Sequence, residues 1–327
     1  MPDAELHVHL RGAMPPPYFA KLLAKRSVAE ALRDAPERHL EFFRRNPNIR
    51  AFLESPQPPE ALFRFEGFEG FLSSYLFSGY FVRDVDDLRG LIAAVREKLA
   101  ADGIAYAEVT VSIPEYLMHG IALEAITDAL SEQSGGETPR LLWIVDFVRN
   151  LGAEAAEDLL GKLLAHPPGG WVGITLGGSE HLFPPAPFER LYARARAAGL
   201  RLSVHAGEAA GPESVWDAIR VLRVDRIGHG VRAIEDPALV RELAERQIPL
   251  EVCLSGNVRT GVYPSFEAHP LRRLVEAGVA VTLNTDDPTF FATTLAEEFA
   301  RAGKLGLTPV QLDAIAANAR RFAFDSP

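Results

Sequence analysis

Short apolar segments alternate with longer amphipathic segments along most of the chain. Within the apolar segments there is little alternation of polar and apolar residues, which is typical of parallel strands buried on both faces. Eight strands are predicted on this basis, at residues 4–10, 104–112, 141–148, 171–178, 200–208, 225–230, 249–256 and 279–287. The pattern therefore predicts an α/β protein built from repeated strand–helix units.

The segments between the predicted strands carry helix signals. Residues 85–103 and 235–247 have Asp or Pro near their first positions, and the first segment ends at Gly103, as helices often do. Eight strand–helix units favour a (β/α)8 TIM barrel, with a doubly wound sheet as the alternative. The first connection, roughly residues 11–103, is long enough to hold extra helices inserted after strand 1, and its Pro-rich piece 55–63 is predicted to be a loop.

Composition and charge narrow the class of protein. Apolar residues make up 47% and charged residues 24% of the chain, so a folded chain is expected, and without a linker signal one barrel domain over residues 1–327 is predicted. The net charge of -10 argues against a nucleic-acid backbone or an anionic membrane as the main partner. A single cysteine, Cys253, leaves no partner for an internal disulfide. With no signal peptide and no long apolar run, we expect a cytoplasmic protein of unassigned oligomeric state.

Two histidines stand on the first predicted strand. His7 and His9 are two residues apart, and in a strand such residues point to the same face. Both imidazoles would then face the barrel interior, while Leu6, Val8 and Leu10 face the helices. A pair of histidines on one strand suits zinc, and the alternative is a pair of hydrogen-bonded core or solvent-facing histidines.

Further polar residues lie at the ends of later strands. His205 and Glu208 end the predicted strand 200–208, at the rim where barrel enzymes carry their active sites. The alternative is a packed histidine followed by a helix-capping glutamate. His229 lies between two glycines, which leave space around its imidazole and permit unusual backbone angles. A tight turn would use the same residues.

Two adjacent carboxylates follow the last predicted strand. Asp286 and Asp287 come after the apolar run VAVTL, and if buried there they need a cation or a donor network. The alternative is a helix N-cap followed by an acid in the first turn. Three histidines and one aspartate, two on the first predicted strand and the others at the ends of two later ones, make a catalytic metal site with further acid–base groups beside it. Such a set suits Zn²⁺, one per chain, although iron or cobalt could occupy it.

These motifs, in this order, resemble the adenosine deaminase family within the amidohydrolase superfamily. The segments that carry the resemblance are ELHVHL (5–10) with the following GA (12–13), GITLGGSE (173–180), VHAGE (204–208), RIGHG (226–230), LEVCLSGNVRTG (250–261) and LNTDDP (283–288). The resemblance implies the barrel fold and a zinc-dependent hydrolysis. The reaction expected is the replacement of the 6-amino group of an adenine-type nucleoside by oxygen, with release of ammonia.

The resemblance also implies a role for each candidate residue. The zinc ligands it implies are His7, His9, His205 and Asp286. Glu208 is similar to the acid that protonates purine N1, and His229 to the residue that orients the attacking hydroxide. Asp287 is similar to the residue that holds the water and contacts purine N7. Gly178 is similar to the glycine whose backbone N–H reaches purine N3.

Arg11 departs from the family pattern, which has an acidic or amide residue after the histidine pair. That position faces the ribose 5′-hydroxyl in adenosine deaminases, and a guanidinium prefers a carboxylate or phosphate. We therefore hypothesise a small-molecule substrate with an anionic 5′ group, such as 6-amino-6-deoxyfutalosine, an intermediate of menaquinone biosynthesis. AMP-type nucleotides fit the same argument. The alternative is that Arg11 turns to solvent and the substrate is adenosine itself, while adenine is a further possibility.

Two rival classes of function remain at this stage. A two-metal amidohydrolase would carry a modified lysine at the end of strand four, and residues 171–178 contain no lysine. A binding protein without catalysis would not need Glu208 and His229. Aromatic residues in the first connection are expected either to wall the substrate arm or to form a helical core face: Phe63, Phe65, Phe68, Phe71, Tyr75 and Phe77. Five histidines are interpreted as ordinary surface or packing residues: His39, His119, His166, His181 and His269.

Overall fold

Parallel strands form the centre of the fold. The computed structural model describes residues 2–135 and 138–325, and every strand pairing between named strands in this part of the chain is parallel. The strands are β1 (Ala4–His9), β2 (Tyr106–Val111), β3 (Arg140–Asp146), β4 (Trp171–Thr175), β5 (Arg201–Leu202), β6 (His205–Ala206), β7 (Ile227–His229), β8 (Leu250–Val252) and β9 (Val281–Leu283). Each of the eight predicted segments contains a strand, and the fifth contains two, β5 and β6.

The strands form two sheets, in the orders β1-β2-β3-β4-β5 and β6-β7-β8-β9. Backbone bonds continue between them, because the N–H of Ser203 donates to β4 at 2.9 Å and the carbonyl of Val204 accepts from β7 at 2.8 Å. On the other side, the N–H of Asp286 donates to His7 at 2.9 Å and the N–H of His9 donates to Asp286 at 2.8 Å. The sheets are thus joined at both seams in the strand order of a (β/α)8 barrel.

The first connection holds the predicted extra helices. They are α1 (Pro16–Lys25), α2 (Val28–Ala31), α3 (Glu37–Arg45), α4 (Pro47–Glu54), α5 (Gly67–Gly79) and α6 (Val85–Ala101). The loop predicted for residues 55–63 is wrong in its second half, where Pro59–Phe63 forms a 3₁₀ helix. A proline suits this first turn because its fixed φ matches the helix and its missing N–H is not needed there.

The remaining helices surround the strands. They are α7 (Ile113–Met118), α8 (Leu123–Glu132), α9 (Ala153–Ala165), α10 (Glu189–Ala197), α11 (Pro212–Asp217), α12 (Pro237–Arg246), α13 (Leu254–Arg259), α14 (Leu271–Glu276), α15 (Pro288–Phe291), α16 (Leu295–Lys304) and α17 (Pro309–Arg321). Short 3₁₀ helices span Arg149–Leu151, Ala186–Phe188 and Val231–Glu235, and a π-helix spans Ala218–Leu222. None of the helices in the described residues combines the length and apolar character that a membrane crossing requires.

Helix starts follow the polar signals in the sequence. The Asp84 side chain accepts from the backbone N–H of Asp87 at the start of α6, and Asp236 accepts from Ala238 at the start of α12, each at 2.8 Å. Such caps satisfy N–H groups that have no partner within the helix. Both helices predicted from residues 85–103 and 235–247 are therefore present.

The alternation along β1 separates core from site. Val8 and Leu10 belong to the main apolar core, and Leu6 packs with Ala319 of α17. The side chains of His7 and His9 point to the other face, where they contact groups of the barrel interior. The predicted division of β1 into a helix-facing and an interior-facing row is confirmed.

A buried ionic group fills the barrel interior. Arg226, 1% exposed, donates from Nη2 to Glu108 and from Nε to Glu251, each at 2.5 Å. The ring of Phe324, which follows α17, lies 3.4 Å from the Arg226 guanidinium. Buried charges persist when they are paired and hydrogen-bonded in this way.

The anchoring of β1 can be tested by truncating its helix-facing side chain. Leu6→Ala is expected to lower the free energy of unfolding by about 2–5 kcal/mol, because the side chain is 1% exposed and its loss leaves a cavity. The matched variant Leu182→Ala, at a position 64% exposed, should change it by less than about 0.5 kcal/mol. Urea unfolding followed by circular dichroism, with a chelator present, measures both. Equal losses would contradict this account of β1.

Candidate metal centre and active site

Four predicted side chains converge at the carboxyl ends of the strands. One nitrogen or oxygen atom from each of His7, His9, His205 and Asp286 lies within 4.8 Å of the others, and we call this set the His–Asp cluster. Strand β1 supplies two of these residues, β6 begins with the third, and the fourth follows β9. The structure thus brings together residues that are up to 279 positions apart in the sequence, counting from His7 to Asp286.

The facing atoms of the cluster suit a cation. Nε2 of His9 lies 3.3 Å from Nε2 of His205 and 3.3 Å from Oδ1 of Asp286. Nε2 of His7 lies 3.6 Å from the same Asp286 oxygen, and it is buried without a hydrogen-bond partner among the described residues. Imidazole nitrogens and a carboxylate oxygen that face one point form a recognised donor set for divalent zinc. The residues present therefore fit such an ion.

In two of the histidines, His7 and His205, the ring nitrogen that faces away from the His–Asp cluster contacts another side chain. Nδ1 of His7 donates to Oε2 of Glu251 at 2.7 Å, and Nδ1 of His205 lies 3.4 Å from Oγ1 of Thr175. Contacts of this kind fix the orientation of a metal-binding imidazole and direct its Nε2 to the ion. Sequence reasoning missed Glu251, although it lies in the segment LEVCLSGNVRTG that carries the family resemblance.

Two residues at the site have backbone in the left-handed region. His229 has φ 60° and Asp286 has φ 63°, conformations that are uncommon for residues other than glycine and that cluster at functional sites. The preceding Gly228 is required by close packing, because a Cβ atom there would lie 2.9 Å from Cε1 of His7. The glycine next to His229 thus makes room for the imidazole of another strand.

Glu208 and His229 stand beside the His–Asp cluster. Oε2 of Glu208 lies 3.5 Å from Nε2 of His229. Burial, with repulsion from Asp286 and Glu180, raises the pKa of Glu208 to about 8, so its carboxyl can hold a proton at neutral pH. Burial also lowers the pKa of His229 to about 3, which keeps its imidazole neutral. Glu208 does not cap the following helix, since α11 begins after Gly211.

Asp287 is buried and does not act as a helix cap. It precedes α15, yet its side chain makes no capping hydrogen bond. Its Oδ1 atom has no hydrogen-bond partner among the described residues. Burial and the neighbouring Asp286 raise its pKa well above the ordinary value. The N-cap alternative is therefore not what the structure shows, and Asp287 is instead a buried acid with one unpartnered oxygen that lines the cavity beside Asp286.

The loop that carries Glu208 is fixed by a second acid, Glu180. Its carboxylate accepts backbone N–H bonds from Gly207 at 2.6 Å, Ala209 at 2.7 Å and Ala210 at 2.9 Å. Sequence reasoning missed this function, although Glu180 ends the segment GITLGGSE. The only signal in the sequence is the acidic residue itself, because a carboxylate that becomes buried requires hydrogen-bond donors.

Two further buried polar residues hold the ends of β4 and β6. Arg149 donates to the carbonyls of Leu176 at 2.8 Å and His205 at 2.5 Å. Asp146 accepts from the N–H of Gly177 at 2.7 Å. The next residue, Gly178, has φ 100°, and a Cβ atom there would lie 2.2 Å from the Asn150 amide oxygen. Glycine is therefore required at this point of the wall.

A cavity of about 590 Å³ adjoins the His–Asp cluster. Its lining includes the predicted residues Glu208, His229, Asp287, Gly178 and Arg11. The exposed side chains Phe68 and Met118 also line it, at 51% and 60% exposure, so they mark its mouth. The cavity therefore leads from solvent to the cluster.

The aromatic residues of the first connection divide between the two predicted roles. Phe68, Phe71 and Tyr75 line the cavity, whereas Phe77 is fully buried in the core. Phe63 packs edge-on against the ring of another core residue. Both the cavity wall and the helical core face thus draw on this segment.

Arg11 is buried, and its guanidinium already contacts two other side chains. Its side chain is 5% exposed, Nη1 contacts the Glu115 carboxylate, and the guanidinium lies 3.7 Å from the centre of the Tyr75 ring. Its Nε is buried without a hydrogen-bond acceptor among the described residues. Arg11 is therefore a buried cation at the cavity whose hydrogen-bond donors are not all satisfied by the described residues.

Three histidines interpreted as ordinary lie closer to the site than expected. His39 and His119 line the cavity, and His269 bonds to Asn257, which bonds in turn to His229. Their sequence surroundings carry no strand-end or glycine signal of the kind that marks the other histidines. Only the folded chain brings them to this position.

Comparisons with known proteins agree with this geometry. A profile of the family described as Adenosine deaminase matches residues 2–326. An aminodeoxyfutalosine deaminase from Streptomyces avermitilis is 36% identical over 315 residues, covering 93% of this chain and 81% of the relative. An adenine deaminase from Arthrobacter aurescens has a TM-score of 0.81 at 30% identity and covers 99% of this chain and 94% of its own. An amidohydrolase from Burkholderia ambifaria with bound Zn has a TM-score of 0.78 at 26% identity, covering 99% and 86%.

These findings confirm the predicted fold class and the predicted class of enzyme. The family match extends over nearly the whole chain, and a relative above 30% identity is covered over most of its length. The relatives are named as deaminases, which hydrolyse C–N bonds, and one related structure holds zinc. This chain belongs to the adenosine deaminase family of metal-dependent hydrolytic deaminases.

Proposed function

We propose that this protein is a zinc-dependent deaminase that converts a 6-aminopurine nucleoside to its 6-oxo product and ammonia. The observation that carries the proposal is the convergence of the His–Asp cluster with Glu208, His229 and Asp287 at the inner end of one cavity. An amidine carbon is a poor electrophile and water a poor nucleophile, so the reaction needs both a cation and proton donors. The site offers residues for each requirement.

The His–Asp cluster would hold one Zn²⁺ ion. When bound, zinc supplies Lewis acidity and lowers the pKa of a water molecule to about 7. The unpartnered Nε2 of His7 supports this assignment, because a buried ring nitrogen without a partner is costly. A second group, His229, Cys253 and Asp286, also lies within 4.8 Å, but it shares Asp286 with the cluster.

The protein's own side chains would then move the protons. Protonated Glu208 donates to purine N1, which makes C6 more electrophilic, and its raised pKa suits this task. Neutral His229 orients the attacking water. Asp287, whose pKa is also raised, holds the water and can donate to purine N7, which is an acceptor. Gly178 lines the same cavity, and its backbone N–H would reach purine N3.

For the substrate, we propose an adenosine with an anionic 5′ substituent, such as 6-amino-6-deoxyfutalosine. Arg11 and Tyr75 line the same cavity as the residues proposed to bind the purine, and the buried Nε of Arg11, which has no acceptor among the described residues, leaves a charged donor for a ligand. The relative from Streptomyces avermitilis bears the name of this activity. Because Glu115 already neutralises part of Arg11, the arm would share the guanidinium with that acid.

Adenine is the second candidate substrate. The structure with a TM-score of 0.81 is named as an adenine deaminase. A free base, however, would leave Arg11, Tyr75 and the rest of the outer cavity unfilled. Adenosine and AMP-type nucleotides extend less far than the benzoate arm of 6-amino-6-deoxyfutalosine. The size and lining of the cavity therefore favour the longer nucleoside.

The metal assignment predicts a defined ion content. His9→Ala is expected to abolish tight zinc binding and deamination together, because it removes one of four ligands. The matched variant His166→Ala changes an exposed histidine outside the site and should keep both. Elemental analysis after gel filtration should find about one zinc per chain in the unmodified protein. Two tightly bound ions per chain would instead favour the two-metal class.

The role proposed for Glu208 as an acid predicts a loss of turnover when it is replaced and a fall of kcat/KM at high pH. Glu208→Gln is expected to lower kcat by at least ~100-fold with zinc retained, whereas Glu245→Gln, at an exposed position, should have no effect. In the unmodified protein, kcat/KM should fall as the pH rises above the Glu208 pKa of about 8, because only the protonated acid can donate. A kcat/KM that stays level up to pH 10 would contradict this assignment.

The substrate assignment predicts a preference that depends on Arg11. We expect kcat/KM for 6-amino-6-deoxyfutalosine to exceed that for adenosine by about tenfold or more, the usual value of one charged hydrogen bond. Glu115→Gln keeps the cation and should keep the preference, whereas the double variant Arg11→Gln/Glu115→Gln should lose it. Steady-state kinetics with adenosine, adenine, AMP and the futalosine derivative measures this. If the preference survives in the double variant, Arg11 does not select the 5′ substituent of the substrate.

A further inference from the structure

We propose that Asn257 and His269 are positioning residues that hold His229 with its proton on Nε2 and its lone pair on Nδ1. The significance of this tautomer for catalysis rests on the proposed function. The tautomer itself follows from a chain of three hydrogen bonds that begins at the backbone of α14. Each bond in the chain has one possible direction.

The first bond fixes His269. The backbone N–H of Leu271 donates to Nδ1 of His269 at 3.1 Å, and a backbone N–H cannot accept, so Nδ1 must carry the lone pair. His269 is 6% exposed, and burial lowers its pKa to about 3, which keeps the ring neutral. The proton of the neutral ring therefore lies on Nε2.

The second bond fixes Asn257. Nε2 of His269 lies 3.2 Å from Oδ1 of Asn257, so the amide oxygen accepts from the imidazole. The amide nitrogen then points the opposite way, toward the barrel interior. Asn257 is fully buried, and a rotated amide would place its N–H group against the N–H of His269. This orientation of the amide is therefore enforced.

The third bond fixes His229. Nδ2 of Asn257 lies 3.2 Å from Nδ1 of His229, and an amide nitrogen can only donate. Nδ1 of His229 must then be the acceptor, and the ring proton must lie on Nε2. That nitrogen is the one that faces Glu208, with 3.5 Å between Nε2 and Oε2. His229 thus presents a donor to the cavity.

This arrangement decides what His229 can do. A neutral imidazole with its proton on Nε2 can donate to the oxygen of a water or to Glu208, but it cannot take a proton through the same nitrogen. His229 would therefore orient and stabilise the nucleophile. A proton released by the water would go to Glu208, which is left as a carboxylate once it has given its own proton to purine N1. In proteins where a histidine is held in the wrong tautomer, turnover falls by orders of magnitude.

Nuclear magnetic resonance on the full chain labelled with [15N]histidine tests the proposal. Long-range ¹H–¹⁵N correlation spectra of the zinc-loaded protein without substrate distinguish the two tautomers, and spectra of His229→Gln and His269→Gln assign the signals. We expect the Nε2–H tautomer for both histidines. An Nδ1–H tautomer at His229 in the unmodified protein overturns the proposal. Because no substrate is present, this result stands even if the protein deaminates none of the purines tried.

Two variants of Asn257 make the test causal. In Asn257→Asp the carboxylate accepts from both neighbours, so the proton of His229 should move to Nδ1. In Asn257→Leu no donor remains, and the Nε2–H population of His229 should fall. Asn48→Asp, outside the site, should leave the spectrum of His229 unchanged. A His229 that stays wholly in the Nε2–H form in both Asn257 variants overturns the proposal.

Kinetics supply a second readout. Both Asn257 variants should lower kcat by about 100-fold or more, the scale of general acid–base contributions, while KM changes by less than about threefold. His269→Leu should behave in the same way. His269→Gln should recover most of the activity, since its amide can accept from Leu271 and donate to Asn257. Equal kcat in the Leu and Gln variants of His269 would contradict a positioning role.

Discussion

The site depends on one buried carboxylate, Glu251, which links the guanidinium of Arg226 to the imidazole of His7 in the His–Asp cluster. Its Oε1 accepts from Nε of Arg226 at 2.5 Å and its Oε2 accepts from Nδ1 of His7 at 2.7 Å. Although burial alone would raise the pKa of Glu251, the nearby Arg226 and His7 hold it below the ordinary value. The carboxylate thus remains charged, and it holds the Nε2 lone pair of His7 toward the other members of the cluster.

The backbone around the site is held by hydrogen bonds at many points. The left-handed conformation of Asp286 is fixed on both sides by its bonds to β1. The carboxylate of Glu180 accepts from N–H groups of the residues that follow His205, and Arg149 donates to the carbonyls of His205 and Leu176. A strained backbone persists only where the surroundings over-determine it. These buried polar groups therefore fix the backbone of the loops through hydrogen bonds, as backbone hydrogen bonds fix the strands of a sheet.

Much of this architecture could be predicted from the sequence. Apolar runs without alternation gave strands in all eight predicted segments, because parallel strands buried on both faces leave such a pattern. The residues at strand ends were found because histidine and paired acids are unusual beside buried strands. Glu251, Asn257 and His269 were not found, because their partners lie on other strands or helices and no local pattern marks them. The pairing of Arg11 with Glu115 was likewise invisible, since it depends on how the inserted helices pack.

The seam between the first and last strands has a consequence for how the chain matures. Asp286 pairs with β1 through its backbone and contributes its carboxylate to the same cluster. A chain emerging from the ribosome carries His7, His9 and His205 well before the fourth member is made. The complete donor set thus arises only when the two termini of the barrel have met. Ion capture would therefore be a late event in biogenesis, and a full complement of bound ion would report that the ring has closed.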